Sequence, residues 1–185
     1  MNALDVDSDT VFREHAIRAI EELLRDHPIG DNPKIPLKRS QVSGLKQIAN
    51  NQPEKVLDFA KHQKEKLEKK RADLGKKFEG SKDEPIINHQ VNFWDLVIRL
   101  CGEEAKATGW SLHHLAEERA PVDCRPGDKP RPNDPVGERD AWKQRKKRAE
   151  EWHDTRRAEF YPAFFQRFCV HYIFATIQGR QAQES

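Results

Sequence analysis

Residues 160–177 read FYPAFFQRFCVHYIFATI and form the densest apolar face of the chain. The chain contains nine Phe, four Trp and two Tyr, and seven of these aromatic residues lie in this segment, with Ile173 and Ile177 beside them. Aromatic side chains bury large areas, so we expect this segment to anchor the core. Pro162 leaves three interpretations open, because it could open a new helix, kink an existing one, or end it.

Elsewhere the apolar residues recur at intervals of three or four, the spacing of amphipathic helices. The stretch from Pro53 follows one narrow apolar stripe for about seven turns, and Gly80 with Pro85 is expected to end it. One predicted helix follows the capping cluster at 7–9, a second begins at Ser40, and a third begins at Ser111. Three more are predicted from Pro53 to Phe78, from Val91 to Ala107 and from Glu138 to Phe160.

Five of the eleven prolines lie between residues 120 and 137, which predicts a long extended or disordered loop there. The sequence shows no long alternation with a period of two and no internal repeat. The predicted fold is therefore all-α, a single helical domain over residues 1–185 built as a bundle of five to seven helices, with a flexible proline-rich loop at 120–137.

The composition argues against a thick buried sheet, because 35% of the 185 residues are charged and 36% are hydrophobic, with a mean hydropathy of -0.95. No apolar stretch approaches the roughly 18 residues that span a bilayer, and the N-terminus lacks the features of a signal peptide. Three widely spaced cysteines are more typical of free thiols than of disulfides or a zinc site. We expect a cytoplasmic protein that does not contact a membrane.

The net charge of +2 conceals alternating blocks along the chain. Residues 32–82 hold 14 Lys and Arg against 6 Asp and Glu, a net charge of +8, and residues 121–185 carry +3. Residues 1–31 and 83–120 carry -5 and -4. Such blocks are suited to placing basic faces on a polyanion while acidic faces contact other protein subunits or keep the chain soluble.

The basic residues cluster on two predicted helices, where rows of cations could follow a nucleic-acid backbone without reading its sequence. Acidic residues are interleaved with them, so a solvated helix surface is the competing interpretation. The candidate nucleic-acid-binding residues are Lys64, Lys66, Lys69, Lys70, Arg71 and Lys77 on the first helix and Lys143, Arg145, Lys146, Lys147, Arg148 and Arg156 on the second.

Motifs for metal, cofactor or nucleotide chemistry are incomplete. His113 and His114 are adjacent and therefore point to different helix faces. A nearby Glu could form a simple surface ion pair with either histidine, without a metal. Glu150-x-x-His153 has di-iron spacing, but no second such pair exists in the sequence. Phosphate-loop, dinucleotide and GxSxG motifs are missing as well. The sequence predicts no metal site and no cofactor.

One catalytic alternative rests on Arg148 and His153, which match the Arg-x4-His pattern of helical ribonucleases of the HEPN superfamily. In such a metal-independent ribonuclease the histidine would act as the acid or base, and the arginine would stabilise charge on the scissile phosphate. The spacing arises easily by chance in a helix rich in arginine and histidine. The stronger prediction is therefore a protein that is not an enzyme.

A capped helix at 37–45 leads into a longer helix, and the aromatic segment 164–175 closes the chain. These two features resemble the small helical subunits of type III CRISPR effector complexes, which act in antiviral defence. This chain is longer and adds a charged middle region and the proline-rich loop. The resemblance implies a non-catalytic subunit of a ribonucleoprotein complex that contacts guide or target RNA. A helical adaptor that binds only protein is the third hypothesis.

Overall fold

The computed structural model describes residues 6–28, 37–102 and 111–181, and within these ranges it contains six α-helices and no strand. The prediction of an all-α bundle with five to seven helices is therefore confirmed. The helices are α1 (Val6–Asp26), α2 (Arg39–Asn51), α3 (Val56–Leu74), α4 (Glu84–Cys101), α5 (Leu112–Glu118) and α6 (Val136–Gln181).

The second half of α6 forms the centre of the core, as the aromatic segment predicts. Phe164, Phe165 and Phe168 are fully buried there. Phe12 of α1 packs edge-on against Phe164 with ring centroids 6.2 Å apart, and Phe93 of α4 lies 5.5 Å from Phe168. One continuous cluster of buried side chains takes members from all six helices.

Pro162 neither opens nor ends a helix, because α6 runs through it without interruption. A proline inside a helix removes one backbone hydrogen bond, here the one that the carbonyl of Ala158 would accept. The aromatic residues on both sides of Pro162 are buried, so their packing holds the helix together across the break. The apolar face is narrower than expected, since Phe174 is 58% exposed and Ile177 is 42% exposed.

The ends of α3 and α4 differ from the predicted bounds. The long basic helix ends at Leu74, where Gly75 adopts a φ of 50° that other residues rarely take. Pro85 does not follow a helix end but lies in the first turn of α4, a position that tolerates the missing N–H. This helix ends at Cys101 and not at the predicted Ala107, because Gly102 adopts an extended backbone; residues 103–107 lie outside the described ranges.

The proline-rich segment follows the surface of α6 instead of projecting away from it. It contains a short 3-10 turn at Val122–Cys124, and its predicted last residues belong to α6, which begins at Val136. Ser111 caps α5 as predicted, because its Oγ accepts a hydrogen bond from the backbone N–H of His114 at 3.1 Å. Within the described ranges, none of the helices combines the length and apolar character needed to cross a membrane.

Candidate nucleic-acid interface

Two of the predicted basic residues of α3 line a groove between α2, α3 and α4. Lys66 and Lys70 are four positions apart on α3 and therefore lie side by side on one face. Lys38, directly before the first residue of α2, lines the same groove. We call this feature the lysine groove; its volume is about 520 Å³.

The lysine groove has an apolar floor and a polar rim. Leu67 and Ile87 are buried and form this floor, whereas Lys38, Lys66 and Lys70 are exposed. Asp83 is the one carboxylate among the described lining residues. Neutral amides that can both donate and accept hydrogen bonds complete the rim, namely Gln41, Gln63 and Gln90.

Sequence reasoning did not single out Lys38, because the residue lies outside both basic helices. Its position follows from how α2 begins: the backbone N–H of Lys38 donates to Oε1 of Gln41 at 3.0 Å, which holds the first turn in place. A lysine at the start of a helix opposes the helix dipole and is unfavourable there. This unfavourable position is the sequence signal that could have identified Lys38 as a candidate binding residue.

The other basic residues of this region have different surroundings. Nζ of Lys64 lies 2.7 Å from a carboxylate oxygen of Asp95, and the hydrogen bond to Asp95 raises the pKa of the lysine. The Arg71 guanidinium lies 5.5 Å from the ring centroid of Phe78. Lys69 is exposed beside Lys70, and Lys77 follows in the 3-10 turn after α3. Lys64 and Arg71 are therefore tied to the protein itself.

The three predicted lysines of α6 form ion pairs on their own helix. Nζ of Lys143 lies 3.1 Å from Asp140, that of Lys146 lies 3.7 Å from Glu150, and that of Lys147 lies 3.8 Å from Glu151. All three lysine side chains are more than half exposed. Exposed pairs of this kind are worth about 0–1 kcal/mol, so they neutralise the local field without holding the structure together.

The three predicted arginines of α6 have partners of another kind. Nε of Arg145 donates to the carbonyl oxygen of Pro126 at 3.5 Å, and Nε of Arg148 donates to that of Asp123 at 3.2 Å. Arg156 pairs with Glu159 and stacks on the Trp152 ring. Arg145 and Arg148 hold the proline-rich loop, and Arg156 covers an aromatic ring.

The Arg148 and His153 side chains do not share a face of α6. Five helical positions correspond to a rotation of about 140° around the axis. Arg148 bonds to the loop, whereas the His153 ring stacks on the ring of His113 in α5, with centroids 4.4 Å apart. This arrangement does not favour the Arg-x4-His ribonuclease, which remains a prediction.

A second groove of about 550 Å³ lies between α1 and α4 and has the opposite charge. Glu22, Asp26 and Asp95 line it, against Arg99. The residues that line the second groove all come from the acidic blocks 1–31 and 83–120, whereas the three lysines of the lysine groove all come from the basic block 32–82. Of these two grooves, the lysine groove is the one whose charge suits an anionic ligand.

Comparison with known proteins gives no relative to guide the assignment. Neither the protein-family models, nor the curated proteins, nor the solved structures yield a significant match to this chain.

Proposed function

We propose that this protein binds RNA through its phosphate backbone and that the lysine groove is the main contact. The observation that carries the proposal is the convergence of Lys38, Lys66 and Lys70 on one groove with a single carboxylate among its described lining residues. Each cation placed on a phosphate releases counterions, so three together give a substantial, salt-dependent affinity.

The preference for RNA over DNA that we propose rests on the amides of the groove. Gln41, Gln63 and Gln90 offer amide donors and acceptors beside the lysines. The ribose 2′-hydroxyl is both a donor and an acceptor, so it is a suitable partner for an amide where the phosphate is held by a lysine. DNA of the same sequence is therefore expected to bind more weakly.

A role as a non-catalytic subunit of a type III CRISPR-like effector complex is part of the proposal and rests on the sequence resemblance. The acidic groove between α1 and α4 supports it in a general way, since it gives the protein a face of opposite sign for a neighbouring subunit. Copurification of the full chain from its host, followed by identification of bound RNA and proteins, tests this part directly.

The groove is tested by fluorescence anisotropy with a labelled single-stranded RNA over a range of salt concentrations. The variant Lys38→Glu/Lys66→Glu/Lys70→Glu is compared with Lys143→Glu/Lys146→Glu/Lys147→Glu, which changes the net charge equally. We expect the groove variant to bind at least about tenfold more weakly and its salt slope to fall by about 2, because each single-strand phosphate contact contributes about 0.7. The α6 variant should change little.

Four outcomes would count against the proposal. Equal losses in both variants would mean that net charge and not the groove governs binding. No RNA binding by the wild type would favour the protein-binding adaptor. Equal affinity for RNA and for DNA of the same sequence would remove the role proposed for the amides. If the wild type cleaves the RNA and His153→Ala does not, the result would instead favour the ribonuclease.

A further inference from the structure

Three potential metal ligands from two helices meet on the surface where α5 packs against α6. The ligand atoms of His113, Glu117 and His153 all lie within 4.8 Å of one another. Nε2 of His113 is 3.4 Å from Oε1 of Glu117. The His113 and His153 rings are nearly parallel, with an interplanar angle of 9° and centroids 4.4 Å apart.

The chain brings these groups together by helix spacing and by helix packing. His113 and Glu117 are four positions apart on α5, so they share one face of that helix. His153 comes from α6, and the register between the two helices is set next to it: Nε1 of Trp152 donates to the carbonyl oxygen of Ala116 at 2.9 Å. This bond joins the residues that adjoin Glu117 and His153 in the sequence.

Helix α5 is also held at both ends. The Oγ of Ser111 caps its first turn. At its C-terminal end the Arg125 side chain donates to two carbonyl oxygens, those of Glu118 at 3.1 Å and Ala120 at 2.9 Å. Leu112 and Leu115 are buried beneath it. The three ligand side chains are therefore carried on backbone that is fixed before any ion arrives.

We propose that His113, Glu117 and His153 bind a Zn²⁺ ion. Two imidazole nitrogens and one carboxylate oxygen are a donor set that zinc uses, with bond lengths of about 2.0–2.2 Å. A tetrahedral ion with such bonds holds its ligand atoms roughly 3.3 Å apart, close to the separation of His113 from Glu117. Rotation of the side chains brings the remaining ligand atoms to this separation. The two imidazole rings then cease to be parallel, because a metal ion lies in the plane of each ring that binds it.

Three protein ligands leave the fourth position of the ion for water or another small ligand. The His113 side chain is 14% exposed and that of Glu117 is 46% exposed, so the ion is reached from the carboxylate side. Bound zinc joins α5 to α6 and stabilises the fold in proportion to its occupancy. This proposal is independent of RNA binding, since none of its ligands lines the lysine groove.

The test titrates Zn²⁺ into the untagged full chain by isothermal calorimetry, with a competing chelator where binding is tight. The single variants are His113→Gln, Glu117→Gln and His153→Gln. The matched control is His114→Gln, which alters the neighbouring histidine outside the cluster. We expect one ion per wild-type chain and an affinity at least about tenfold weaker in each ligand variant, with the control unchanged.

Two further readouts separate metal binding from folding. At the same zinc concentration, the melting temperature of the wild type and of His114→Gln should rise by more than that of the ligand variants, whose helical circular dichroism without metal should match the wild type. Co²⁺ in the wild type should give the visible absorption bands of a four-coordinate ion. If His153→Gln does not fold, the zinc affinity of Glu117→Gln tests the proposal instead. Glu117 is more exposed than His113, the other ligand on α5, so its replacement disturbs the fold less.

The proposal fails if the wild type does not bind one equivalent of zinc. It also fails if Glu117→Gln binds as tightly as the wild type, or if His114→Gln loses as much affinity as the ligand variants do. A six-coordinate cobalt spectrum would contradict the four-coordinate site proposed for these three ligands.

Discussion

The Nε2 atom of His89 lies 2.9 Å from the hydroxyl oxygen of Tyr172, and both residues are buried in the core. Nδ1 of the same ring lies 2.8 Å from the carbonyl oxygen of His27, directly after α1. The carbonyl can only accept, so Nδ1 carries the hydrogen and Nε2 accepts one from the tyrosine. A single neutral imidazole thus links the end of α1 to α4 and α6.

Burial lowers the pKa of His89 below the ordinary imidazole value of about 6.5, and this outweighs the upward effect of the His27 carbonyl. The unfolded chain therefore takes up a proton at about pH 6.5, while the folded protein takes it up only at a lower pH. The contribution to stability is complete above about pH 6.5 and is lost as the pH falls through the folded pKa.

Replacement of His89 by glutamine should weaken this pH dependence, because an amide can make both hydrogen bonds without titrating. Chemical denaturation between pH 7 and pH 5 measures the effect, and each unit of pKa depression accounts for about 1.4 kcal/mol of the lost stability. His15 also has a lowered pKa owing to burial, so His15→Gln is the comparison that shows how the loss divides between the two. If the unfolding free energy changes with pH equally in the wild type and in His89→Gln, the role given to His89 is contradicted.

The three cysteines should differ in reactivity. Burial raises the pKa of Cys101 and of Cys169 to about 12, so neither forms a thiolate near neutral pH. Cys124 is only partly buried in the 3-10 turn. We expect a thiol reagent to modify one cysteine in the native protein and all three in denaturant. Fast modification that persists in Cys124→Ser would show that the core opens readily.

The proline-rich loop should loosen when its bonds to α6 are removed. In Arg145→Ala/Arg148→Ala the carbonyl oxygens of Pro126 and Asp123 lose donors that each contribute about 1 kcal/mol. Hydrogen exchange of the backbone amides over residues 121–135 should be faster by roughly fivefold for each bond lost. Lys147→Ala on the same helix provides the control, and equal exchange in the two variants would mean that the arginines do not hold the loop.

The helical class and the anchoring role of the aromatic segment could be predicted because they depend on spacing within short windows. Phe164 and Phe168 are four positions apart and therefore share a face in any α-helix. Ser111 was recognised as a cap for the same local reason. Pro85 and Pro162 could not be interpreted locally, since proline is compatible with a helix start, and packing on both sides of Pro162 outweighs one missing hydrogen bond.

The candidate sites were predictable only in part. The sequence showed which lysines lie together on α3, but Lys38 joins Lys66 and Lys70 through the packing of α2 against α3 and α4. The basic residues of α6 looked equivalent in the sequence. In the structure its arginines hold a loop and cover a ring, whereas its lysines stay at the surface.

Residue spacing and composition are enough to predict a helical chain, the positions of its apolar faces, and the sign of the charge on each segment. Which of these faces meet depends on the packing of the helices. This packing places His153 of α6 on His113 of α5 and Lys38 in one groove with Lys66. The physical reason is that helical periodicity is a property of neighbouring residues. The pairing of helices depends instead on how their apolar faces fit together once the whole core is buried.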